Sequence, residues 1–209
     1  MSTRRLRGLY AITSAELCRE PARLFAAIEA ALRGGAQLIQ YRDKTGSAPT
    51  RRSNALELLA RCRSRQAELI INDDVELAGA IGVGVHLGAG DLSLREARQQ
   101  LGNSALIGVS CANALGRAEH AQREGASYVA FGRFFPSRTK PDGPQAELSL
   151  LRQARARLQI PICAIGGLTP ENAGEAIESG ADLVAAVEGV FGASNVEAAA
   201  RAYATLFVQ

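Results

Sequence analysis

Short apolar runs alternate with longer helical patterns along the whole chain. In the helical patterns apolar residues recur every three or four positions, as Leu24, Ile28 and Leu32 do, so they share one face of a helix. The apolar runs predict strands at residues 9–12, 37–41, 69–71, 83–87, 105–109, 128–131, 160–165 and 183–187. The other patterns predict helices at residues 21–33, 51–64, 74–80, 94–101, 112–124, 148–158, 170–179 and 196–207.

This alternation favours an α/β fold, a single (β/α)8 TIM barrel, because a helix between two strands implies that the strands are parallel. The chain has 209 residues, which predicts a compact barrel and one catalytic domain over residues 1–209. An open doubly wound sheet would produce the same alternation. No Gly-x-Gly-x-x-Gly motif follows the first strand, and this disfavours the open sheet.

Composition narrows the class of protein. The chain is 47% hydrophobic and 22% charged, as in ordinary soluble domains. A net charge of +3 without a basic, aromatic-interleaved stripe gives no sign of nucleic-acid binding. No run approaches the roughly 20 apolar residues of a membrane span. The four cysteines form no Cys-x-x-Cys pair, which argues for reduced thiols in a cytoplasmic protein. A homo-oligomer is compatible with the sequence.

The second strand ends in a polar segment. Active sites of TIM barrels lie at the carboxyl ends of the strands. Because strand side chains alternate, Gln40, Arg42 and Lys44 share one face, whereas Tyr41 and Asp43 share the other. An amide with two cations suits a phosphate or pyrophosphate ligand. The alternative is a frayed strand end with solvated charges.

Two aspartates follow the third and fourth strands. Asp74 is placed to cap the next helix, which leaves Asp73 free for another role. Neighbouring strands lie about 4.8 Å apart, so Asp73 and Asp91 are expected to reach one ion. Two carboxylates with water and substrate phosphate suit Mg²⁺. The alternative is two helix caps, with Asp91 capping the helix that begins near Ser93.

Other strand ends carry weaker signals. Ser110 is placed either to donate to a phosphate or to cap a helix. The amides near Gly167 and the segment ending at Glu188 lie in the loops after strands seven and eight, a frequent phosphate site in this fold. His86 and His120 are predicted to be packed or solvated, and no Ser–His–acid arrangement is present to suggest a covalent mechanism.

The segment 134–143 combines prolines, hydroxyls and cations, so it predicts a loop after the sixth strand. Its hydroxyls and cations suit an anionic ligand, although an exposed basic turn has the same composition. The candidate ligands to the anion are Ser137, Arg138, Thr139 and Lys140.

Taken together, these segments resemble the thiamine-phosphate synthase family over nearly the full chain. The resemblance rests on residues 8–13, 40–44, 71–73, 85–88 with Asp91, 108–110, 136–141 and 165–167. Each segment is common by itself, but their occurrence in this order is specific. The resemblance implies a transferase of thiamine biosynthesis that joins a hydroxymethylpyrimidine diphosphate to a thiazole phosphate and releases pyrophosphate.

The resemblance also implies residue roles. The pyrimidine diphosphate would be bound by Gln40, Arg42, Lys44, Asn72, Ser110 and Lys140. Within the same motifs Tyr41, Asp43 and Arg138 are also assigned to substrate binding. Arg42, Lys44, Ser110 and Lys140 would be catalytic, and Asp73 and Asp91 would hold Mg²⁺. The thiazole phosphate would contact Ser137, Thr139, Gly167, Val187 and Glu188. The family commonly has serine at the position of Glu188.

Two other functions are compatible with such a barrel. One is an isomerase of the thiazole phosphate, which needs an acid or base and no pair of metal-binding carboxylates. The other is a non-catalytic sensor of thiamine metabolites. The set formed by Gln40, Arg42, Lys44, Asp73 and Asp91 favours the synthase over both.

Overall fold

Eight parallel strands close into a barrel in sequence order, with β1 pairing with β8, in a computed structural model that describes residues 6–136 and 145–208. The strands are β1 Gly8–Ile12, β2 Leu38–Tyr41, β3 Glu68–Asn72, β4 Gly84–Leu87, β5 Ile107–Ala112, β6 Tyr128–Phe131, β7 Ile162–Ile165 and β8 Leu183–Ala186. The helices are α1 Ala15–Cys18, α2 Pro21–Arg33, α3 Ala48–Ser64, α4 Val75–Ile81, α5 Leu94–Leu101, α6 Leu115–Arg123, α7 Leu148–Arg157, α8 Ala173–Glu178, α9 Glu188–Phe191 and α10 Val196–Ala204. The predicted TIM barrel is confirmed, and the open sheet is excluded.

The differences from the predicted elements occur where short turns lie beside the barrel rim. The helices α1 and α9 were not predicted, because four residues are too few to show a helical period. Helix α3 begins three residues before the predicted start, since Ser47 caps it through the amide of Thr50. Strand β5 runs to Ala112, and α8 begins at Ala173 rather than at residue 170.

The core has two layers, as the alternation of strand side chains requires. Alternate strand residues pack outward against the helices, and Leu9, Ile39 and Val129 belong to this larger layer. The intervening residues fill the barrel interior, among them Tyr10, Ile12, Leu38, Ile70, Tyr128, Cys163 and Leu183. Inward positions near the carboxyl ends of the strands therefore form the floor of any site at that rim.

Gly108 makes room inside the barrel for a large ring. A Cβ at this position would lie 2.0 Å from Cζ of Tyr128, so no larger residue fits beside the tyrosine as it stands. Tyr128 is itself fully buried. The glycine therefore lets a polar aromatic side chain cross the interior.

Candidate active site

The polar residues predicted at several strand ends converge on one end of the barrel. Gln40 lies in β2, Asn72 is the last residue of β3, and Ser110 lies in β5. Strand pairing places Gln40 opposite Ile70, and Asn72 opposite His86. The carboxyl ends of these parallel strands thus share one rim, as the prediction required.

A hydrogen-bonded set of five polar side chains occupies the interior below this rim. The Gln40 amide nitrogen donates to the Tyr10 hydroxyl at 2.6 Å, and the hydroxyls of Tyr10 and Tyr128 lie 2.8 Å apart. His86 bridges the next two hydroxyls. Its Nδ1 lies 3.0 Å from the Tyr128 hydroxyl, and its Nε2 lies 2.9 Å from the Ser110 hydroxyl. Burial raises the pKa of both tyrosines above the usual range, so both hydroxyls keep their protons at neutral pH.

Thr13, at the end of β1, holds the backbone of Arg42. The Thr13 hydroxyl accepts from the Arg42 amide at 2.8 Å and lies 3.4 Å from the Arg42 carbonyl oxygen, to which it donates. Cys18 in α1 also reaches this hydroxyl, with its thiol 3.4 Å away. Thr13 is fully buried. The segment that carries Arg42 is therefore fastened to the neighbouring strand.

Replacing Thr13 by valine, which has the same shape, should leave the Arg42 amide without its partner. We expect the free energy of unfolding to fall by about 1–3 kcal/mol, the usual cost of an unsatisfied buried donor. We also expect kcat/KM to fall by about ten-fold, because Arg42 loses its fixed position. Thr13→Ser keeps the hydroxyl and should retain most activity. Denaturant unfolding and steady-state kinetics measure both effects, and unchanged kinetics in Thr13→Val would contradict the positioning role.

Lys44, Asp73 and Asp91 form a charged group on the rim. The Lys44 ammonium lies 3.3 Å from a carboxylate oxygen of Asp73. Burial and the hydrogen-bonded, like-charged Asp91 raise the pKa of Asp73, against the effect of Lys44. Burial acts to raise the pKa of Asp91 too, but hydrogen bonds from Asp73 and the Gly88 amide lower it overall. Two carboxylates in this contact favour the binding of a cation.

Helix capping separates Asp73 from its neighbour in the chain. Asp74 caps α4 by accepting from the Leu77 amide at 2.9 Å, as predicted. Ser93 caps α5 in a reciprocal pair with Glu96, so the alternative in which Asp91 is the cap is wrong. Asp73 has a φ of +63°, in the left-handed region, where Asp and Asn are among the residues that occur most readily.

The donors at this position fit a magnesium ion. Among residues 6–136 and 145–208, no group of three or more His, Cys, Asp or Glu side chains is arranged to hold a metal. Asp73 and Asp91 would supply two carboxylate oxygens to a bound ion, and water and substrate phosphate would supply the rest. Mg²⁺ prefers such a shell, because it retains water and binds phosphate oxygens readily.

Tyr41 and Asp43 lie on the side of β2 that faces α3. The Tyr41 hydroxyl accepts from the Asn54 amide at 3.3 Å and donates to Asp43 at 3.0 Å. The other Asp43 carboxylate oxygen accepts from the Thr45 and Gly46 amides, each at 2.9 Å. Burial opposes the ionised form, but these hydrogen bonds hold the pKa of Asp43 below its usual value. Both residues shape the loop between β2 and α3, and direct substrate contact by either stays a prediction.

The loops after β6 and β7 pack against each other. The Phe135 amide donates to the Gly166 carbonyl oxygen at 3.0 Å. Gly167 has a φ of +68°, and a Cβ there would lie 2.4 Å from the Pro136 carbonyl oxygen, so this position requires glycine. The predicted ligands Ser137, Arg138, Thr139 and Lys140 lie outside the described residues.

Val187 and Glu188 form the start of α9, directly after β8. Val187 occupies the N-cap position, and Glu188 is the first helical residue and is exposed. A Cβ on Gly192 would lie 2.7 Å from a carboxylate oxygen of Glu188. The Glu188 side chain is therefore directed along α9 toward its carboxyl end, and its backbone remains at the rim.

Sequence reasoning missed Thr13, Tyr10 and Tyr128, and it gave His86 no partners. His86 is buried, in agreement with its prediction as a packed side chain, and His120 is exposed. The sequence could have indicated partners for the polar rings, because each ring occupies a strand position whose side chain points into the barrel. Polar groups at such positions must find partners inside the barrel.

Comparison with known proteins identifies the family. Residues 9–190 match the sequence profile of the family described as thiamine monophosphate synthase. The chain belongs to the thiamine monophosphate synthase family. A thiamine-phosphate synthase from Methylococcus capsulatus is 52% identical over 202 residues, which cover 96% of this chain and 89% of the relative. The predicted family and enzyme class, a transferase, are therefore confirmed.

Solved structures agree with this membership. A thiamine phosphate pyrophosphorylase from Pyrococcus furiosus superposes with a TM-score of 0.88 at 30% identity, covering 98% of this chain and 96% of that one. An orotidine 5′-phosphate decarboxylase from Pyrococcus horikoshii shares the fold alone, with a TM-score of 0.68 at 14% identity, covering 95% and 99% of the two chains. In the described part of the chain no helix has the length and apolar character required to cross a bilayer.

Proposed function

We propose that the protein catalyses the Mg²⁺-dependent joining of 4-amino-2-methyl-5-hydroxymethylpyrimidine diphosphate to 4-methyl-5-(2-phosphoethyl)thiazole. The products are thiamine phosphate and pyrophosphate. The observation that carries the proposal is the close approach of Lys44, Asp73 and Asp91 at the rim, where Lys44 and Arg42 both follow β2. A pyrophosphate needs cations around it, and a cation shared with the substrate relieves the repulsion between the two carboxylates.

The reaction begins with cleavage of the bond between the pyrimidine methylene carbon and the diphosphate oxygen. The electron pair of that bond leaves with pyrophosphate, and the pyrimidine ring delocalises the positive charge that remains. Arg42 and Lys44 bind the departing oxygens, and Ser110 donates a hydrogen bond. Such stabilisation of developing charge is usually the largest contribution to catalysis. Bound Mg²⁺, held by Asp73 and Asp91, would supply charge neutralisation of the leaving group.

The thiazole nitrogen then forms a bond to the methylene carbon with its own electron pair. No proton has to leave the nitrogen, so this step requires no protein base. The thiazole phosphate would be held by backbone groups of Gly167, Val187 and Glu188, in the loops after β7 and β8, together with Ser137 and Thr139. These loops commonly bind phosphate in TIM barrels.

The decisive experiment mixes the purified protein with both substrates and Mg²⁺ and measures thiamine phosphate and pyrophosphate. We expect the two products to appear in equal amounts. A parallel reaction with the thiazole phosphate alone detects isomerisation, and binding of thiamine compounds without turnover detects a sensor. Absence of product at enzyme concentrations equal to the substrate would contradict the synthase proposal.

Replacing Glu188 by serine should weaken repulsion of the thiazole phosphate. We expect KM for that substrate to fall by up to about five-fold with kcat unchanged, since exposed charges interact weakly through water. Glu178→Ser, at the other end of the barrel where α8 ends, removes the same charge and should change neither constant. Steady-state kinetics distinguish the variants, and a large loss of kcat in Glu188→Ser would reveal a direct role for the carboxylate.

A further inference from the structure

The five polar side chains inside the barrel form one continuous chain of hydrogen bonds. It runs from the Gln40 amide through Tyr10, Tyr128 and His86 to Ser110 at the rim, with consecutive separations of 2.6, 2.8, 3.0 and 2.9 Å. Gln40 and the two tyrosines are almost fully buried, so water does not complete their hydrogen bonding. The direction of donation along the chain is therefore decided by the protein groups themselves.

The Gln40 amide sets this direction. Its nitrogen only donates, so the Tyr10 hydroxyl must accept from it. The remaining described partner of Tyr10 is the Tyr128 hydroxyl, which must therefore receive the Tyr10 proton. The Tyr128 proton then points to Nδ1 of His86. With Nδ1 as an acceptor, a neutral His86 carries its proton on Nε2 and donates to Ser110.

We infer that this one-way chain presents Ser110 to the barrel mouth as a hydrogen-bond donor. The Ser110 hydroxyl accepts from His86, which leaves its single proton directed toward the substrate. Gln40, Tyr10, Tyr128 and His86 act on the reaction through Ser110 and are positioning residues in this respect. The inference rests on the proposed function, because it assigns Ser110 to an anionic leaving group.

The opposite direction would have a different chemical consequence. If the Gln40 oxygen faced Tyr10, each hydroxyl would donate the other way, and His86 would carry its proton on Nδ1. Ser110 would then donate inward to Nε2, and only its lone pairs would face the mouth. Lone pairs repel a pyrophosphate, so an anionic substrate and the Gln40 nitrogen favour the same direction. The tautomer of His86 thus reports the direction of the entire chain.

The experiment is nitrogen-15 NMR of the histidine side chains in the ligand-free protein. The chain contains two histidines, and exposed His120 serves as the internal reference and is assigned with His120→Gln. We expect His86 near neutral pH to show a protonated Nε2 and an acceptor Nδ1. A proton on Nδ1, or on both nitrogens, would overturn the inference.

Tyr128→Phe supplies the second test, because it removes the donor to Nδ1 and keeps the ring. We expect His86 to lose its fixed tautomer and kcat to fall by about ten-fold, the effect of one lost hydrogen bond. Tyr41→Phe is the matched control, since the Tyr41 hydroxyl faces α3, and it should leave the His86 signals unchanged. Unchanged His86 signals in Tyr128→Phe would overturn the inference.

The NMR samples contain no substrate, so the outcome of these measurements is independent of the synthase assay. A protonated Nε2 in a protein without synthase activity would refute the proposed function and leave the direction of the chain established. A protonated Nδ1 in an active synthase would refute the inference alone.

Discussion

Asp73→Asn is expected to lower kcat by about 10²–10³-fold, the range found when a group that stabilises developing charge is removed. Asparagine has nearly the same shape and tolerates the left-handed backbone at this position, where φ is +63°. Burial and Asp91 raise the pKa of Asp73, so the fold disfavours its negative charge. The Asp73→Asn substitution should therefore not lower the free energy of unfolding. Turnover measured against Mg²⁺ concentration should show a higher requirement for the ion.

Asp74→Asn is a control at the next residue in the chain. Asparagine is as good an N-cap as aspartate, so α4 should remain intact. The substitution removes the ion pair between Asp74 and Arg51, whose atoms lie 3.1 Å apart. We expect turnover within about two-fold of the wild type, because this carboxylate caps a helix and faces α3. Equal losses in the two variants would indicate a general effect of charge at this rim and would contradict a metal-binding role for Asp73.

Arg42→Gln is expected to reduce kcat by about 10²–10³-fold, with a smaller change in KM for the pyrimidine diphosphate. The guanidinium meets charge that grows as pyrophosphate departs, so its effect is larger in the transition state than in the bound substrate. Arg42→Lys keeps the charge but loses the paired donors, so its activity should lie between that of the wild type and that of Arg42→Gln. Single-turnover kinetics with both substrates separate the chemical step from binding.

Arg51→Gln provides the comparison for Arg42. Its guanidinium belongs to α3 and pairs with Asp74, and we expect a lower free energy of unfolding with nearly normal kcat. If Arg42→Gln loses stability and retains kcat in the same way, Arg42 has a structural role and the assignment to pyrophosphate is wrong.

The fold was predictable because each strand and each long helix carries its own periodic signal. The closed order of the barrel follows once all connections are helical crossovers. The helices α1 and α9 were not predictable, since four residues cannot show a period and their positions depend on the rim. The start of α3 depends on the cap formed by the Ser47 side chain, and the turn before α8 depends on the Asn172 side chain, which accepts from the Thr169 amide. The hydrophobic pattern does not report such hydrogen bonds.

The candidate site was predictable where its residues follow strands directly. Gln40, Arg42 and Lys44 belong to the end of one strand, and Lys44 contacts Asp73 because the neighbouring parallel strands β2 and β3 end at one rim. Thr13 could not be assigned, because its function is to hold the backbone of a residue 29 positions away. The interior chain was also missed, since the partners of Tyr10 and His86 lie on strands distant in sequence.

The close packing of Gly108 against Tyr128 constrains how the sequence of the barrel can evolve. A methyl group at residue 108 would lie within 2.0–2.5 Å of three Tyr128 atoms, so residue 108 cannot become larger while Tyr128 stays in place. A larger residue at 108 requires a smaller one at 128, and that exchange would also cut the path between Tyr10 and His86. We expect the two positions to diverge as a linked pair, with loss of the tyrosine hydroxyl as the first sign of a changed reaction.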